Sequence, residues 1–367
     1  MTTASNPGLR IGWHADSFDA KLASVRYRVI QPMAALNALG LAVERLADDG
    51  DPARYDAVIF SKSHGKPALA LAGAARAGGV PIVYDLCDNF LAASQARHMS
   101  SARLGRANAM LAMADTLSFS TATLAEQLRA EYPDLTAEMV VVPDTIDPPA
   151  VRAEWGRGRA LAALDRFLAG HPGALHCVWF GNSLGRLSGY VHVGLAAEEL
   201  RQFSAHLPVT LTVISNDRFG FWRASRRWRV PVHYVPWSLA VQGPALARHR
   251  VALIPVERNA YTLGKTINRP ATALMAGLGV VASAIPSYEE LRPYIFLDDW
   301  QAGLAAYARP DDPAWDRIGE AQALLTARYG SAAVAARWQE VIATTVKRVR
   351  GATADGPRPA QSLRSRW

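Results

Sequence analysis

The chain is poor in cysteine, in lysine and in long apolar runs, and each shortage excludes something. Its two cysteines, Cys87 and Cys177, lie far apart in apolar segments of 367 residues. They read as reduced core thiols, which excludes a disulfide framework and a cysteine-based metal site. The nine histidines show no metal-ligand spacing, so no metal is expected. No apolar run reaches the roughly 18 to 20 residues that a membrane-spanning helix needs. Met1 to Arg10 carries no apolar stretch of the signal-peptide kind. A cytoplasmic protein is therefore expected, with peripheral contact at the inner membrane face kept as an extension. The only lysines are Lys21, Lys62, Lys66, Lys265 and Lys347, so the net charge of +8 rests mostly on arginine. That balance favours anionic partners, namely phosphates, anionic lipid or nucleic acid. An Arg- and Ala-rich composition also follows from GC-rich coding, so the charge alone decides little.

What is present is an alternation of short apolar runs with helical patterns. Strand-like runs lie at Leu9 to Trp13, Leu41 to Leu46, Ala57 to Phe60, Pro81 to Leu86, Thr116 to Ser120 and Met139 to Val142. Helical patterns at Val25 to Leu39, Ala68 to Ala77, Ser101 to Ala114 and Ala122 to Glu131 fall between them. Pro143 to Gly158 is rich in Pro and Gly and reads as a linker. Beyond it the alternation restarts at Leu175 to Phe180 and continues to Val251 to Pro255, and a helical region covers Trp315 to about Val349. Such alternation means α/β architecture with parallel sheets covered on both faces. The expectation is two doubly wound domains, residues 1–160 and 161–335, facing each other across a cleft that holds the active site. A C-terminal helix at 336–351 is expected to pack back on the first domain, and a polar, disordered tail to follow at 352–367.

Open parallel sheets bind ligands at the carboxyl ends of their strands, and the second domain offers four pieces there. In the first, Gly181, Asn182, Ser183 and Gly185 follow a strand; the glycines permit close approach and the loop can hold phosphate, or be a plain turn. Pro236 and Trp237 follow another strand and could line a base pocket, or Trp237 could cap the core. Ile254 to Glu257 ends a third strand at the same rim. The last piece is LGKTINRPATALMAGLGVVAS, Leu263 to Ser283. Lys265, Asn268 and Arg269 are spaced by three and four, so they are expected on one face of a helix start. A diphosphate needs fixed positive charge and a helix N-terminus, and these residues supply both. The alternative is a solvated basic start paired with Glu257 or Asp217.

The order of VWFGNSLG, VPW, VALIPV and GKTINRPATALMAGLGVVASAIPSYEEL resembles the nucleotide-binding half of GT-B glycosyltransferases, most nearly the retaining family-4-type enzymes. In the first half, ASVRYRVIQPMAALNALG, GVPIVYDLCDNF and ADTLSFSTATLAEQLRAEYP resemble the acceptor half of the same group. The resemblance covers roughly Leu9 to Trp338. It implies two Rossmann-like domains in the GT-B arrangement and transfer of a hexose from a UDP- or GDP-sugar to a glycan, glycolipid or other glycoconjugate, as in polysaccharide biosynthesis. Retention at the anomeric carbon and no required metal or cofactor are implied as well. Lys265 and Arg269 would bind the diphosphate and the backbone near Pro236 and Trp237 would meet the base. The pattern's two glutamates fall here on Gly264 and Thr272, so Thr272 offers the ribose a hydroxyl at best. Arg186 matches the pattern's arginine after the glycine turn, and no lysine follows it.

In the first domain, Gly12-Trp13-His14 is expected to follow the first strand. Arg26 and Arg28 flank Tyr27, so at most one should face inward. His14, Arg26 and Asn89 are candidates for acceptor binding. Asp88 is a candidate catalytic residue beside Lys265 and Arg269, and Asp85, Asp144 and Asp147 could equally be caps. No glycosidase-like carboxylate pair is found, and the group does not require one. Asn216 to Trp237 interleaves Arg with Phe and Trp. It reads as an exposed helix and loop, as a peripheral membrane contact, or, least favoured, as a nucleic-acid surface. Two functional alternatives stand beside the enzyme: a non-catalytic nucleotide-sugar-binding homologue, and a sugar-nucleotide epimerase of the same fold.

Overall fold

The computed structural model describes residues 8–90, 100–147, 157–183 and 189–353. The chain forms two compact units. Unit 1 takes the described residues up to Thr145, the short segment Leu263–Thr266, and the chain from Arg328 onward; unit 2 takes Ile146–Thr262 and Ile267–Ala327.

Unit 1 is built on six strands, β1 (Arg10–Ala15), β2 (Ala42–Arg45), β3 (Ala57–Ser61), β4 (Ile82–Leu86), β5 (Thr116–Phe119) and β6 (Glu138–Val141). They pair in parallel in the order β2-β1-β3-β4-β5-β6. Continuous apolar runs such as AVIF in β3 are what a sheet covered on both faces demands. Alternate side chains feed two cores. Val58 and Phe60 join helices Lys66–Ala77 and Ser101–Met113 on one face. Ile11, Trp13 and Ile59 join the C-terminal helix Ser331–Thr353 on the other, where the Trp13 and Trp338 rings meet edge to face at 5.0 Å.

The first strand extends past the expected end, so Trp13 and His14 lie inside β1 and are buried rather than following it. The first helical stretch also differs. Residues Arg26–Ile30 form a π-helical turn ahead of helix Gln31–Ala38. The wider turn changes which side chains face inward, and Arg26 and Arg28 are both buried.

Unit 2 repeats the plan with β7 (Leu175–Phe180), β8 (Val209–Ser215), β9 (Val232–Pro236), β10 (Val251–Ile254), β11 (Gly279–Ala282) and β12 (Phe296–Leu297). Their order is β12-β11-β10-β7-β8-β9, again parallel. Helix Tyr190–Phe203 buries Val193, Ala196, Ala197 and Leu200 against the sheet. Helix Arg157–Ala169 begins within the expected linker, whose residues 148–156 lie outside the described ones. Helix Trp300–Ala308 precedes the expected C-terminal helical region.

Each sheet has one place where strand order reverses: β1 beside β3 in unit 1, and β7 beside β10 in unit 2. There the two flanking crossovers leave in opposite directions, so the carboxyl ends open a crevice. In unit 2 the pairing itself shows this. β7 pairs with β8 along all six residues from Leu175 to Phe180, but with β10 only at Cys177 and Val178. The strands part before Trp179 and Leu253.

Candidate functional site

The unit 2 crevice is lined first by Gly181, which follows β7. Helix Asn268–Met275 brings Arg269 over it. The guanidinium carbon lies 5.6 Å from the Trp179 ring centroid, and a Cβ on Gly181 would come within 3.2 Å of the same guanidinium and of Trp179. Glycine at 181 thus leaves room for the Arg269 guanidinium close to the end of the strand. Ile267 precedes the helix and caps it with no side-chain hydrogen bond, and the Ala271 N–H donates to the Ile267 carbonyl at 2.9 Å. Pro270 sits in the first turn, the one place in a helix where a missing N–H costs nothing.

That proline corrects one expectation. A helix starting at Leu263 would bury Pro270 in its interior, so the helix starts at Asn268 and Lys265 lies outside it. Lys265 belongs to unit 1 and Asn268 and Arg269 to unit 2. The three residues do not share a helix face.

Around the same rim, Asn216 after β8 accepts from the Ser183 N–H at 3.3 Å and from its hydroxyl at 3.2 Å, and its amide donates to Asn182. This ties the loop after β7 to the loop after β8. The Trp237 N–H donates to the Ser215 carbonyl at 2.8 Å, and its indole N–H donates to Gln242. Trp237 can therefore offer a ligand its carbonyl and ring, while Pro236 is exposed beside it. The Thr272 hydroxyl donates to the Asn268 carbonyl at 2.7 Å. Its one proton is held by its own helix, so Thr272 could only accept from a ribose. Gly185 and Arg186 lie outside the described residues.

In unit 1 the carboxyl ends of β1, β3 and β4 converge. Lys62 follows β3 in a left-handed conformation at φ 52°, an uncommon state for a residue with a side chain. Its ammonium lies 2.6 Å from Asp88, and the Lys265 ammonium lies 2.5 Å from the other oxygen of the same carboxylate. Segment 263–266 is held there by Gly264, whose carbonyl accepts from the Thr121 hydroxyl at 3.1 Å. Burial pushes the Asp88 carboxyl up, but the ammonium groups of Lys265 and Lys62 outweigh it and hold it well below the usual carboxylate range. A base so weak is a poor proton acceptor at neutral pH. Its chemistry is to fix two ammonium groups side by side on one carboxylate. Lys62 was not among the sequence candidates; its position directly after a buried strand, in a chain with five lysines, is the signal that could have found it.

The other unit 1 candidates are internal. His14 is buried at the end of β1, with Nε2 2.9 Å from Asp48, and its buried Nδ1 has no partner among the described residues. Arg26 donates to the Ala20 carbonyl at 2.7 Å and to the Tyr27 hydroxyl at 2.9 Å. Arg28 pairs with Asp85 and Asp144 and donates to the Val142 carbonyl, while Ser61 donates to Asp85 at 2.8 Å. Asp85 is thus a structural anchor. Asn89, also buried, donates to Gln127 at 2.9 Å. Burial pushes the nearby Glu131 carboxyl up to about 7, against an opposing hydrogen bond from Asn89. Among the described residues no three His, Cys, Asp or Glu side chains are placed to hold a metal ion, and no helix is long and apolar enough to cross a membrane.

No protein-family model and no curated protein sequence matches the chain. Solved structures do match in fold. The catalytic domain of starch synthase IV from Arabidopsis thaliana, bound to ADP and acarbose, aligns with a TM-score of 0.63 at 11% identity, covering 93% of this chain and 100% of that one. AviGT4, a glycosyltransferase involved in avilamycin A biosynthesis, aligns at 0.55 and 14%, covering 92% and 98%. A UDP-forming α,α-trehalose-phosphate synthase from Burkholderia xenovorans, in complex with glucose-6-phosphate, aligns at 0.55 and 14%, covering 85% and 76%. With two six-stranded parallel α/β units and these neighbours, the chain has the GT-B fold of glycosyltransferases.

Proposed function

We propose that the chain is a glycosyltransferase that takes a hexose from a UDP- or GDP-sugar and passes it to a glycan, glycolipid or other glycoconjugate. The observation that carries this reading is Arg269, held beside Gly181 and Trp179 in the first turn of its helix, where β7 and β10 part. A guanidinium fork at a helix start suits a diphosphate.

The chemistry follows from charge. As the glycosidic bond to the nucleoside diphosphate breaks, negative charge grows on the phosphate oxygens. A cation already in place at a helix start stabilises that charge more in the transition state than in the ground state. Loss of one such donor costs about 100- to 1000-fold in rate where it has been measured in other enzymes. Asn182, Ser183, Asn268 and the Trp237 carbonyl are the further donor-side contacts in this reading, with Thr272 as an acceptor for ribose. On the acceptor side, the paired ammonium groups of Lys62 and Lys265 on Asp88 are the polar elements that a sugar or sugar phosphate would meet. Retention, metal independence and a lipid-bearing acceptor rest on the sequence resemblance.

One observation favours the non-catalytic alternative: the position where the resembled enzymes carry a glutamate is Thr272, with its proton committed to Asn268. Thermal shift with UDP, GDP, ADP and their sugar conjugates tests the donor reading, and no stabilisation by any of them sinks it. Release of free sugar from the stabilising conjugate, or transfer to an acceptor, separates enzyme from binder. Product anomeric configuration by NMR and activity in EDTA test retention and metal independence.

A further inference from the structure

Helix Arg218–Ser225 of unit 2 carries three aromatic residues and buries only one of them. Phe221 packs inward against Tyr234 and Trp228, with ring centroids 5.3 and 6.0 Å away. Phe219 and Trp222, three residues apart and so on one face, are 88% and 63% exposed. The neighbouring helix Tyr190–Phe203 packs on this one through Tyr190, whose ring would lie 2.8 Å from a Cβ on Gly220. It exposes Val191 and Leu195, spaced four apart, at 59% and 51%. Four of the six large apolar side chains that the described residues expose therefore belong to two touching helices. Single exposed apolar residues need no explanation, but such grouping does.

The charge around them has one sign. Arg218, Arg223, Arg226, Arg227 and Arg229 are all exposed, and among the described residues none forms an ion pair. Asp217 is the only acidic residue of the stretch, and its carboxylate accepts from the Gly220 N–H as the helix cap. On the neighbouring helix, Glu198 pairs with Arg201 and Glu199 accepts from Gln301. Five arginines less one aspartate leave the segment 217–229 at +4.

We propose that this face docks on an anionic lipid surface, with Phe219, Trp222, Val191 and Leu195 entering the acyl boundary and the five arginines meeting lipid phosphates. Charge complementarity names the anionic surface, and the aliphatic pair names lipid. Val191 and Leu195 give nothing to a stacked base or a nucleic-acid phosphate, but add apolar area that an interfacial helix buries. Trp at such a boundary keeps its indole N–H in the wet headgroup layer. This docking is separate from the sugar-transfer reading and survives its failure.

The test is sedimentation of the full chain with phosphatidylcholine vesicles, with and without about a third phosphatidylglycerol, at low and high salt. The expected result is binding to the anionic vesicles only, weakened by salt. Arg223→Gln combined with Arg227→Gln should weaken it by about 25-fold, at about fivefold per arginine. Phe219→Ser with Trp222→Ser, and separately Val191→Ser with Leu195→Ser, should each reduce binding while the melting temperature holds. Absence of binding to anionic vesicles at low salt overturns the proposal, as does binding that survives both apolar variants. Binding of a single-stranded oligonucleotide that depends on the arginines but not on Val191 and Leu195, without vesicle binding, replaces it with a nucleic-acid surface.

Discussion

Replacing Asp88 by Asn isolates the arrangement at the carboxyl edge of unit 1. The substitution keeps shape and one hydrogen-bond acceptor, but removes the single negative charge between two ammonium groups 2.6 and 2.5 Å away. The cluster goes from +1 to +2. Two limits bracket the cost: exposed ion pairs contribute about 0.2 to 1 kcal/mol each, and breaking a buried pair costs about 3 to 5 kcal/mol. Asp88 is 19% exposed and its lysines are about a third exposed, so the site lies between, at about 2 kcal/mol. Lys265→Met instead takes these three groups from +1 to 0 and keeps the Lys62 ammonium on Asp88, so it should cost less. The sign with pH also follows. The folded carboxyl titrates below its ordinary range, so its contribution is complete above that range and is lost as pH falls through and below it. Urea unfolding of the wild type, Asp88→Asn and Lys265→Met at pH 7 and near pH 3 measures all of this. Asp88→Asn should be the least stable at pH 7, with the difference shrinking at low pH and in high salt. A loss no greater than that of Lys265→Met, or one that persists unchanged at low pH, refutes the electrostatic reasoning.

Two further changes read other parts of the structure. Gly181→Ala should push the Arg269 guanidinium outward, because buried Trp179 cannot give way on the other side of the new Cβ. Nucleotide affinity should fall several-fold with little change in stability, as titration and melting would show; unchanged affinity would detach Gly181 from the site. Glu131→Gln should stabilise the protein at pH 8 more than at pH 5. The wild-type carboxyl titrates near 7 in the fold, so its burial penalty appears as pH rises from about 4.5 through 7. Partial exposure limits the gain to about 1 to 2 kcal/mol, and a pH-independent gain would contradict the assignment.

The sheets were legible because their strands are short and apolar throughout. LHCVWF reads as a buried strand, and Leu175–Phe180 is one. Crossover helices with clear apolar spacing, such as Ala122–Glu131, were read to the residue. Local geometry was not. An apolar pattern cannot distinguish a π turn from an α turn, so the burial of both Arg26 and Arg28 is not legible in it. Helix Arg157–Ala169 was hidden by the glycine and proline signals just before it. At the candidate site, Arg269, Gly181 and Trp179 come together as a helix start meeting a strand end should. Spacing alone puts Lys265 on the helix, but Pro270 sets where the helix can begin and leaves Lys265 outside it. Lys62 is hidden in the sequence because Asp88, the carboxylate it shares with Lys265, lies 26 residues from Lys62 and 177 from Lys265, and no local pattern links such positions.

The most direct test of a donor site in unit 2 is calorimetric titration of UDP, GDP and ADP into the wild type and Arg269→Ala. One of the three nucleotides should bind the wild type, and Arg269→Ala should weaken that binding by about 10- to 100-fold, the range for charge-assisted hydrogen bonds. Arg269→Lys should recover only part of the loss, since an ammonium restores the charge but not the fork. Failure of all three nucleotides to bind, or equal affinity for wild type and Arg269→Ala, would contradict the proposed site.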